Sequence, residues 1–213
     1  MTKEEKQKAL DKLKEKMNCD EALPLRKGAT NLVFGEGNSD AKVVFIGEGP
    51  GYWEDQKGRP FVGNAGAFLN QLLHSIKLKR KEGFTIGDRK DEVFITNVVN
   101  YRPPGNRDPL PEEIAAFSPY IDKMIEIIKP KVIVTLGRFS MAKFLPGVKI
   151  SDVHGKLYTV VWKGREIAIV PMYHPAAGLR NGEIKRRTVE DFQKLPEILK
   201  ETDKIEVEQI SLV

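Results

Sequence analysis

Short, β-branched apolar segments are the feature of this sequence that most limits its fold. Four of them lie at residues 43–46, 93–98, 132–136 and 167–170. Strands that are apolar on both faces are typical of a parallel sheet covered by helices on each side. Helical patterns lie between these predicted strands, at residues 64–76, 112–128 and 139–145, and such helices would cover the two faces of the sheet. We therefore predict an α/β fold, a three-layer α/β/α sandwich around a central, mainly parallel four-stranded sheet.

The rest of the chain is less regular. Residues 1–18 are rich in Lys and Glu with one narrow apolar stripe, which predicts a charged N-terminal helix docked on the body. Pro and Gly residues between positions 18 and 42 predict a loop with a short strand at residues 31–34. The tail, residues 196–213, is charged and weakly patterned, so its structure is left open. A length of 213 residues suits a single domain spanning 1–213.

Composition narrows the class of protein. Hydrophobic residues at 40% and charged residues at 31% are typical of a soluble globular protein. No apolar run reaches the length of a membrane span, so we expect a cytoplasmic protein without a membrane partner. Cys19 is the only cysteine, which excludes an intrachain disulfide and an iron-sulfur cluster held by four cysteines of this chain. A net charge of +5 favours a polyanionic partner without requiring one.

Each predicted strand leads into a polar loop, and ligands of parallel sheets bind at the carboxyl ends of the strands. Glu48 follows the first strand inside the sequence Gly-Glu-Gly-Pro-Gly, whose glycines allow close approach of the backbone to a ligand. Asn97 ends the second strand and His174 follows the fourth. Taken singly, each residue also has a purely structural explanation. The Glu48 segment could be a tight turn, Asn97 a cap, and His174 an ordinary hydrogen-bonded histidine.

Two further features lie outside the strands. Phe61 falls in a polar segment without helical or strand periodicity, so its ring either faces a ligand or anchors the loop in the core. Leu179 belongs to a small-residue turn that precedes Lys185, Arg186 and Arg187. A basic run of this kind is usually only a solvated face. The histidines have no metal-ligand spacing, so no metal is assigned.

The order and spacing of these motifs are more specific than any one of them. Residues 47–51, 60–66, 95–97, 102–109 and 174–180 resemble the uracil-DNA glycosylases of the iron-sulfur type, called family four. The resemblance runs from about residue 18 to about residue 194. It implies a monofunctional, monomeric glycosylase that flips uracil out of DNA and hydrolyses its N-glycosidic bond. A module that binds deaminated DNA without cutting is the alternative, and a nucleotide hydrolase is a weaker third reading.

The resemblance also implies a role for each loop. Glu48 would orient the attacking water, and His174 would be directed at uracil O2, which makes these two the implied catalytic residues. Phe61 would stack on the flipped base, Asn97 would read its edge, and Glu54 would leave no room for a thymine methyl. The implied uracil-binding residues are Gly49, Glu54, Phe61 and Asn97. The implied DNA-binding residues are Leu179, Arg180, Lys185, Arg186 and Arg187.

The chain departs from the family pattern at the cysteines that bind the iron-sulfur cluster. Of the family's four cysteine positions only Cys19 matches, and the others correspond to Ala22, Tyr101 and Phe117. We predict that the iron-sulfur cluster is absent and that aromatic and apolar side chains fill its space.

Two other departures lie in the loops. Gly178 stands where the family often carries the first of two leucines, which leaves Leu179 as the predicted wedge into the duplex. Tyr52 and Trp53 form a more aromatic pair than the family pattern implies.

Overall fold

The structure is a computed structural model that describes residues 1–78, 80 and 93–210, with the backbone alone for 203–210. One mixed sheet contains its six strands, which are β1 (Glu36–Gly37), β2 (Val43–Gly47), β3 (Val93–Asn97), β4 (Val132–Leu136), β5 (Tyr158–Trp162) and β6 (Arg165–Met172). Their order across the sheet is β1-β3-β2-β4-β6-β5.

Eight α-helices surround this sheet in the described part of the chain. They are α1 (Lys3–Cys19), α2 (Tyr52–Lys57), α3 (Asn64–Ser75), α4 (Pro111–Ile128), α5 (Arg138–Ala142), α6 (Ile150–Val153), α7 (Pro175–Arg180) and α8 (Gly182–Ile210). None of these helices is both long and apolar enough to cross a membrane.

Alternate residues of the central strands enter two separate cores. Val44 and Ile46 of β2 belong to a core shared with α1 and α4 on one face of the sheet. Phe45, between them, packs on the other face, where the core includes side chains of α3 and α8. Because side chains alternate along a strand, this division places a helical layer on each face. The predicted three layers are present.

The predicted parallel strands are the middle of a larger sheet. Strands β3, β2, β4 and β6 are mutually parallel, whereas β1 pairs with β3, and β5 with β6, in antiparallel fashion. The prediction of four strands was therefore incomplete by two edge strands. Strand β5 alternates between half-buried and exposed residues, so it lacks the continuous apolar pattern of a strand that is buried on both faces.

The predicted strand at residues 31–34 was wrong. The segment is not part of the sheet, and it is bound by the side chain of Asn100, whose Nδ2 donates to the carbonyls of Val33 and Phe34 at 2.9 and 3.1 Å. The backbone N–H of Val33 donates to the carbonyl of Asn100 at 2.8 Å. These bonds satisfy the segment's polar groups without a ladder, and pairing with β3 begins only at Glu36.

Long helices lie near both ends of the described residues. Helix α1 begins at a capping box formed by Thr2 and Glu5, and it extends one residue beyond the predicted 1–18. The tail, whose structure the sequence left open, continues α8 through Pro196 to Ile210, while 211–213 lie outside the described residues. The helix predicted at 139–145 is shorter, ending at Ala142.

Candidate active site

A cavity of about 660 Å³ opens at the carboxyl edge of the parallel strands. Loops that follow β2, β3, β4 and β6 all reach it. The sequence-predicted residues that line it are Glu48, Gly49, Glu54, Phe61, Asn97, His174 and Arg180. The predicted residues that do not line it are Leu179, Lys185, Arg186 and Arg187. The structure thus brings every implied uracil-binding and catalytic residue into one space.

The amide of Asn97 is held inside the cavity without a partner for its oxygen. Asn97 is buried at the end of β3, and its Oδ1 accepts no hydrogen bond within the described structure. Gly47 lies between this amide and the ring of Phe61, because a Cβ on Gly47 would fall 2.4 Å from Asn97 Oδ1 and 2.7 Å from Phe61 Cζ. A buried unpaired carbonyl destabilises a protein unless a ligand or water satisfies it.

Phe61 is held in an unusual backbone conformation. Its φ of 51° lies in the left-handed region, which bulky residues rarely adopt. The guanidinium of Arg80 fastens this turn by donating to the carbonyl of Phe61 and to Asn70 Oδ1, both at 2.8 Å. The ring is buried in the core and also lines the cavity, where it stacks on His174 with centroids 5.6 Å apart. Both readings of Phe61 from the sequence therefore describe part of its environment.

Glu54 of α2 fastens the loop that follows Phe61. Its Oε1 accepts the backbone N–H groups of Val62 and Gly63 at 2.8 and 2.7 Å. These two bonds connect the start of α2 to the turn that carries the aromatic ring. The same carboxylate lines the cavity, so it narrows the space beside Phe61.

His174 is a neutral hydrogen-bond donor in this fold. Its Nδ1 accepts the backbone N–H of Ala176 at 3.2 Å and thereby caps α7. A neutral ring that accepts at Nδ1 carries its proton at Nε2. Burial, with a smaller contribution from Arg180, lowers the pKa of His174 to about 4. The ring is therefore uncharged at neutral pH.

Glu48 is a carboxyl group close to its midpoint of titration at neutral pH. Burial, and then the nearby negative charge of Asp108, raise the pKa of Glu48 to about 7, although the backbone N–H groups of Phe139 and Arg138 donate to it. The turn of Gly137 makes this approach possible. Its φ is 98°, and a Cβ there would fall 2.3 Å from Glu48 Oε1.

Two ion pairs shape the loops around Glu48. Arg138 pairs with Asp108 at 2.5 Å, and Arg107 grips Glu113 in two hydrogen bonds of 2.9 and 2.6 Å. Sequence reasoning missed Arg138, Asp108 and Arg80 as site residues. Their contacts join segments 30 and 19 positions apart, so no local spacing points to them.

The predicted wedge and basic residues lie along α7 and α8. Leu179 is 47% exposed, while Gly178 is buried and closely packed, because a Cβ there would fall 3.1 Å from Phe68 Cε1. Arg186 and Arg187 pair with Glu190 and Glu183 one turn away, at 2.7 and 2.5 Å. The remaining cation, Lys185, has its Nζ 5.5 Å from the centre of the Phe68 ring.

The described residues form no metal-binding group. Within residues 1–78, 80 and 93–210, no three His, Cys, Asp or Glu side chains lie close enough to hold a metal ion together.

Comparison with known proteins agrees with this geometry. Residues 34–199 match the family model of the Uracil DNA glycosylase superfamily. The type-4 uracil-DNA glycosylase of Sulfurisphaera tokodaii is 44% identical over 195 residues, which is 89% of this chain and 84% of the relative. That of Archaeoglobus fulgidus is 42% identical over 194 residues, 88% of this chain and 92% of the relative.

The α/β fold, the convergent cavity and these matches define a class. The chain belongs to the uracil-DNA glycosylase superfamily. Within this superfamily, the chain is more similar to type-4 than to type-5 enzymes. It is 44% and 42% identical to the two type-4 relatives above, but 28% identical to the type-5 uracil-DNA glycosylase of Pyrobaculum aerophilum. The resemblance predicted from the motifs is confirmed.

Proposed function

We propose that the protein is a monofunctional uracil-DNA glycosylase, which hydrolyses the bond between uracil N1 and deoxyribose C1′ and leaves an abasic site. One observation carries this proposal. Asn97 with its unpaired amide oxygen, the neutral His174 and the high-pKa Glu48 line a single cavity in a chain of this family. Family relatives named type-4 uracil-DNA glycosylases support the same activity.

Recognition of the base begins with its extrusion from the DNA, which costs a few kcal/mol. Stacking on Phe61 returns about 1–3 kcal/mol of this. The amide of Asn97 then donates to uracil O4 and accepts from N3–H. Cytosine presents the opposite donor and acceptor pattern, so it would leave both groups of the buried amide unpaired. Glu54, fixed beside Phe61, occupies the space that a thymine methyl needs.

Bond cleavage leaves negative charge on uracil and positive charge on the sugar, and residues of the site stabilise each of these charges. As the N1–C1′ bond breaks, its electron pair passes to uracil, and His174 Nε2–H stabilises the resulting anion more than the intact nucleotide. Water adds to C1′ and loses its proton to Glu48 or solvent, while uracil later takes a proton from solvent. An ionised Glu48 orients this water and stabilises the positive charge on the sugar.

DNA outside the cavity is held by α7 and α8 in this proposal. Leu179 would enter the duplex beside the extruded nucleotide, and Arg180 and Lys185 would meet phosphates. Arg186 and Arg187 would join them by exchanging their glutamate partners for phosphate. Affinity for DNA would then fall with rising salt, because each phosphate contact releases condensed counterions.

We also propose that the protein works without an iron-sulfur cluster. Cys19 is exposed, whereas the two aromatic residues at cluster positions, Tyr101 and Phe117, are 3% and 0% exposed with ring centroids 6.1 Å apart. One thiolate and two packed rings do not fit a four-cysteine cluster. Purified protein would contain no stoichiometric iron and would release uracil equally well after dialysis against a chelator. Stoichiometric iron in active protein would contradict this.

The activity is tested with a uracil-containing oligonucleotide that is treated with alkali after incubation. Strand cleavage at the uracil position is expected, because alkali breaks DNA at abasic sites, and a thymine oligonucleotide should remain intact. Folded protein that binds the uracil strand tightly and leaves it intact would overturn the proposal in favour of a binding module.

A further inference from the structure

Two exposed aromatic side chains begin helix α2. Tyr52 and Trp53 are 48% and 58% exposed, and they are the only aromatic residues among the exposed large apolar side chains of the described chain. Their rings meet edge to face with centroids 5.1 Å apart. The guanidinium of Arg102 lies 5.1 Å from the centre of the Tyr52 ring. We name these three residues the aromatic ledge.

The aromatic ledge follows one rim of the uracil cavity. Gly51, immediately before it, lines the cavity, as does Pro103, immediately after Arg102. Trp53 reaches the loop that follows Phe61, because its Cδ1 is 3.6 Å from the Cβ position of Gly63. The ledge comes from the loops after β2 and β3, whereas α7 follows β6, and β4 separates these strands in the sheet. The ledge and the wedge therefore come from different loops around the cavity.

The chemistry of the aromatic ledge suits an unpaired nucleic-acid strand. Every base has an aromatic face, so flat side chains bind bases without regard to sequence. Arg102 adds a positive charge, and its Nε is oriented by Asn106 Oδ1 at 2.7 Å. No negatively charged side chain forms an ion pair with Arg102 in the described structure, so its charge is available to a phosphate.

We propose that the aromatic ledge binds unstacked bases of the DNA strand next to the extruded uracil, with Arg102 on the backbone. This proposal rests on the proposed function, since it places the target strand across the cavity mouth. The enzyme then holds single-stranded DNA at two places, the cavity and the ledge, and α7 and α8 hold duplex DNA.

The chain contains two tryptophans, which allows a direct test of binding. In a Trp162→Phe variant, Trp53 is the only tryptophan, and titration with an undamaged single-stranded oligonucleotide should quench its fluorescence. The matched control is Trp53→Phe, which leaves Trp162 on edge strand β5 and should show no quenching. Saturated binding, measured by anisotropy of labelled DNA, without quenching of Trp53 would overturn the proposal, as would equal quenching in both variants.

A kinetic test separates this proposal from the activity itself. The double variant Tyr52→Ala/Trp53→Ala should raise KM for uracil in single-stranded DNA about tenfold and leave kcat unchanged. The reason is that the variant loses base stacking that stabilises the ground state and the transition state equally. Val161→Ala on β5, which is 77% exposed, should leave both constants unchanged. An unchanged KM in the double variant refutes the ledge, whereas a wild-type protein that releases no uracil refutes the proposed function.

Discussion

The proposed active-site cavity and the core around Phe117 are built from different kinds of side chain within one fold. The cavity holds polar groups that a reaction can use, namely the unpaired amide oxygen of Asn97, a neutral His174 and a Glu48 of raised pKa. Around Phe117, on the α1 and α4 face of the sheet, mainly apolar side chains pack together, although the hydroxyl of the neighbouring Tyr101 is buried without a hydrogen-bond partner in the described residues. The difference teaches that substitutions in the packed core should act mainly on stability, whereas substitutions in the cavity should act mainly on the reaction.

The largest expected effect is on the packed core. Phe117→Ala should lower the free energy of unfolding by about 3–5 kcal/mol, because it removes a fully buried ring and leaves a cavity. Denaturant unfolding measures this, with Phe117→Leu as the milder control. Folded Phe117→Ala protein should retain its kcat for uracil release. A large loss of kcat with unchanged stability would contradict the assignment of Phe117 to the packed core alone.

In the uracil cavity the expectation is reversed. His174→Ala should lower kcat about 10²–10³-fold, since it removes a donor to the developing uracil anion. Thermal unfolding should change little beyond the loss of one helix cap. His74→Ala, which replaces an exposed histidine on α3, is the matched control and should be indistinguishable from wild type. Equal rates for the two variants would remove His174 from the mechanism.

Smaller losses are expected where the extruded base is only held. Phe61→Ala should lower kcat/KM for uracil release about 10–100-fold, in line with the loss of one stacked base. Asn97→Ala should reduce the preference for uracil over cytosine. Both variants should keep the wild-type affinity for undamaged DNA, because these residues contact only the flipped base. Parallel losses in both measurements would show that the residues serve general binding.

The smallest expected effect is on the free energy of unfolding, which an ionised, buried Glu48 lowers. Its folded pKa of about 7 lies above the value of 4.5 for an unburied carboxyl, so wild-type stability falls as pH rises from 4.5 to 7. Glu48→Gln avoids this ionisation and should be more stable than wild type by about 1–2 kcal/mol above pH 7, part of the shift being screened by solvent. The gain should vanish near pH 4, and uracil release should fall. A gain independent of pH would contradict the burial of a charge.

The sequence predicts those parts of the molecule whose environment repeats along the chain. Strands β2, β3 and β4 and the second half of β6 are buried on both faces, so their residues are largely apolar in succession, and Asn97 and His174 lie where β3 ends and just after β6. Edge strand β5 lacks that pattern because solvent reaches it. Arg80 and Asp108 escaped prediction because their roles depend on contacts between distant segments. The roles assigned to the cavity residues stay predictions until the rates are measured.

One carboxylate connects the two places at which a strand would be held. Glu54 follows Trp53 directly and accepts two N–H groups from the loop after Phe61, so the ledge and the stacking ring form one rigid spacer. Such a spacer fixes the separation between an extruded nucleotide and its neighbour. A free mononucleotide has no neighbour and would engage only one end, so the proposed ledge would favour a DNA strand over a free nucleotide.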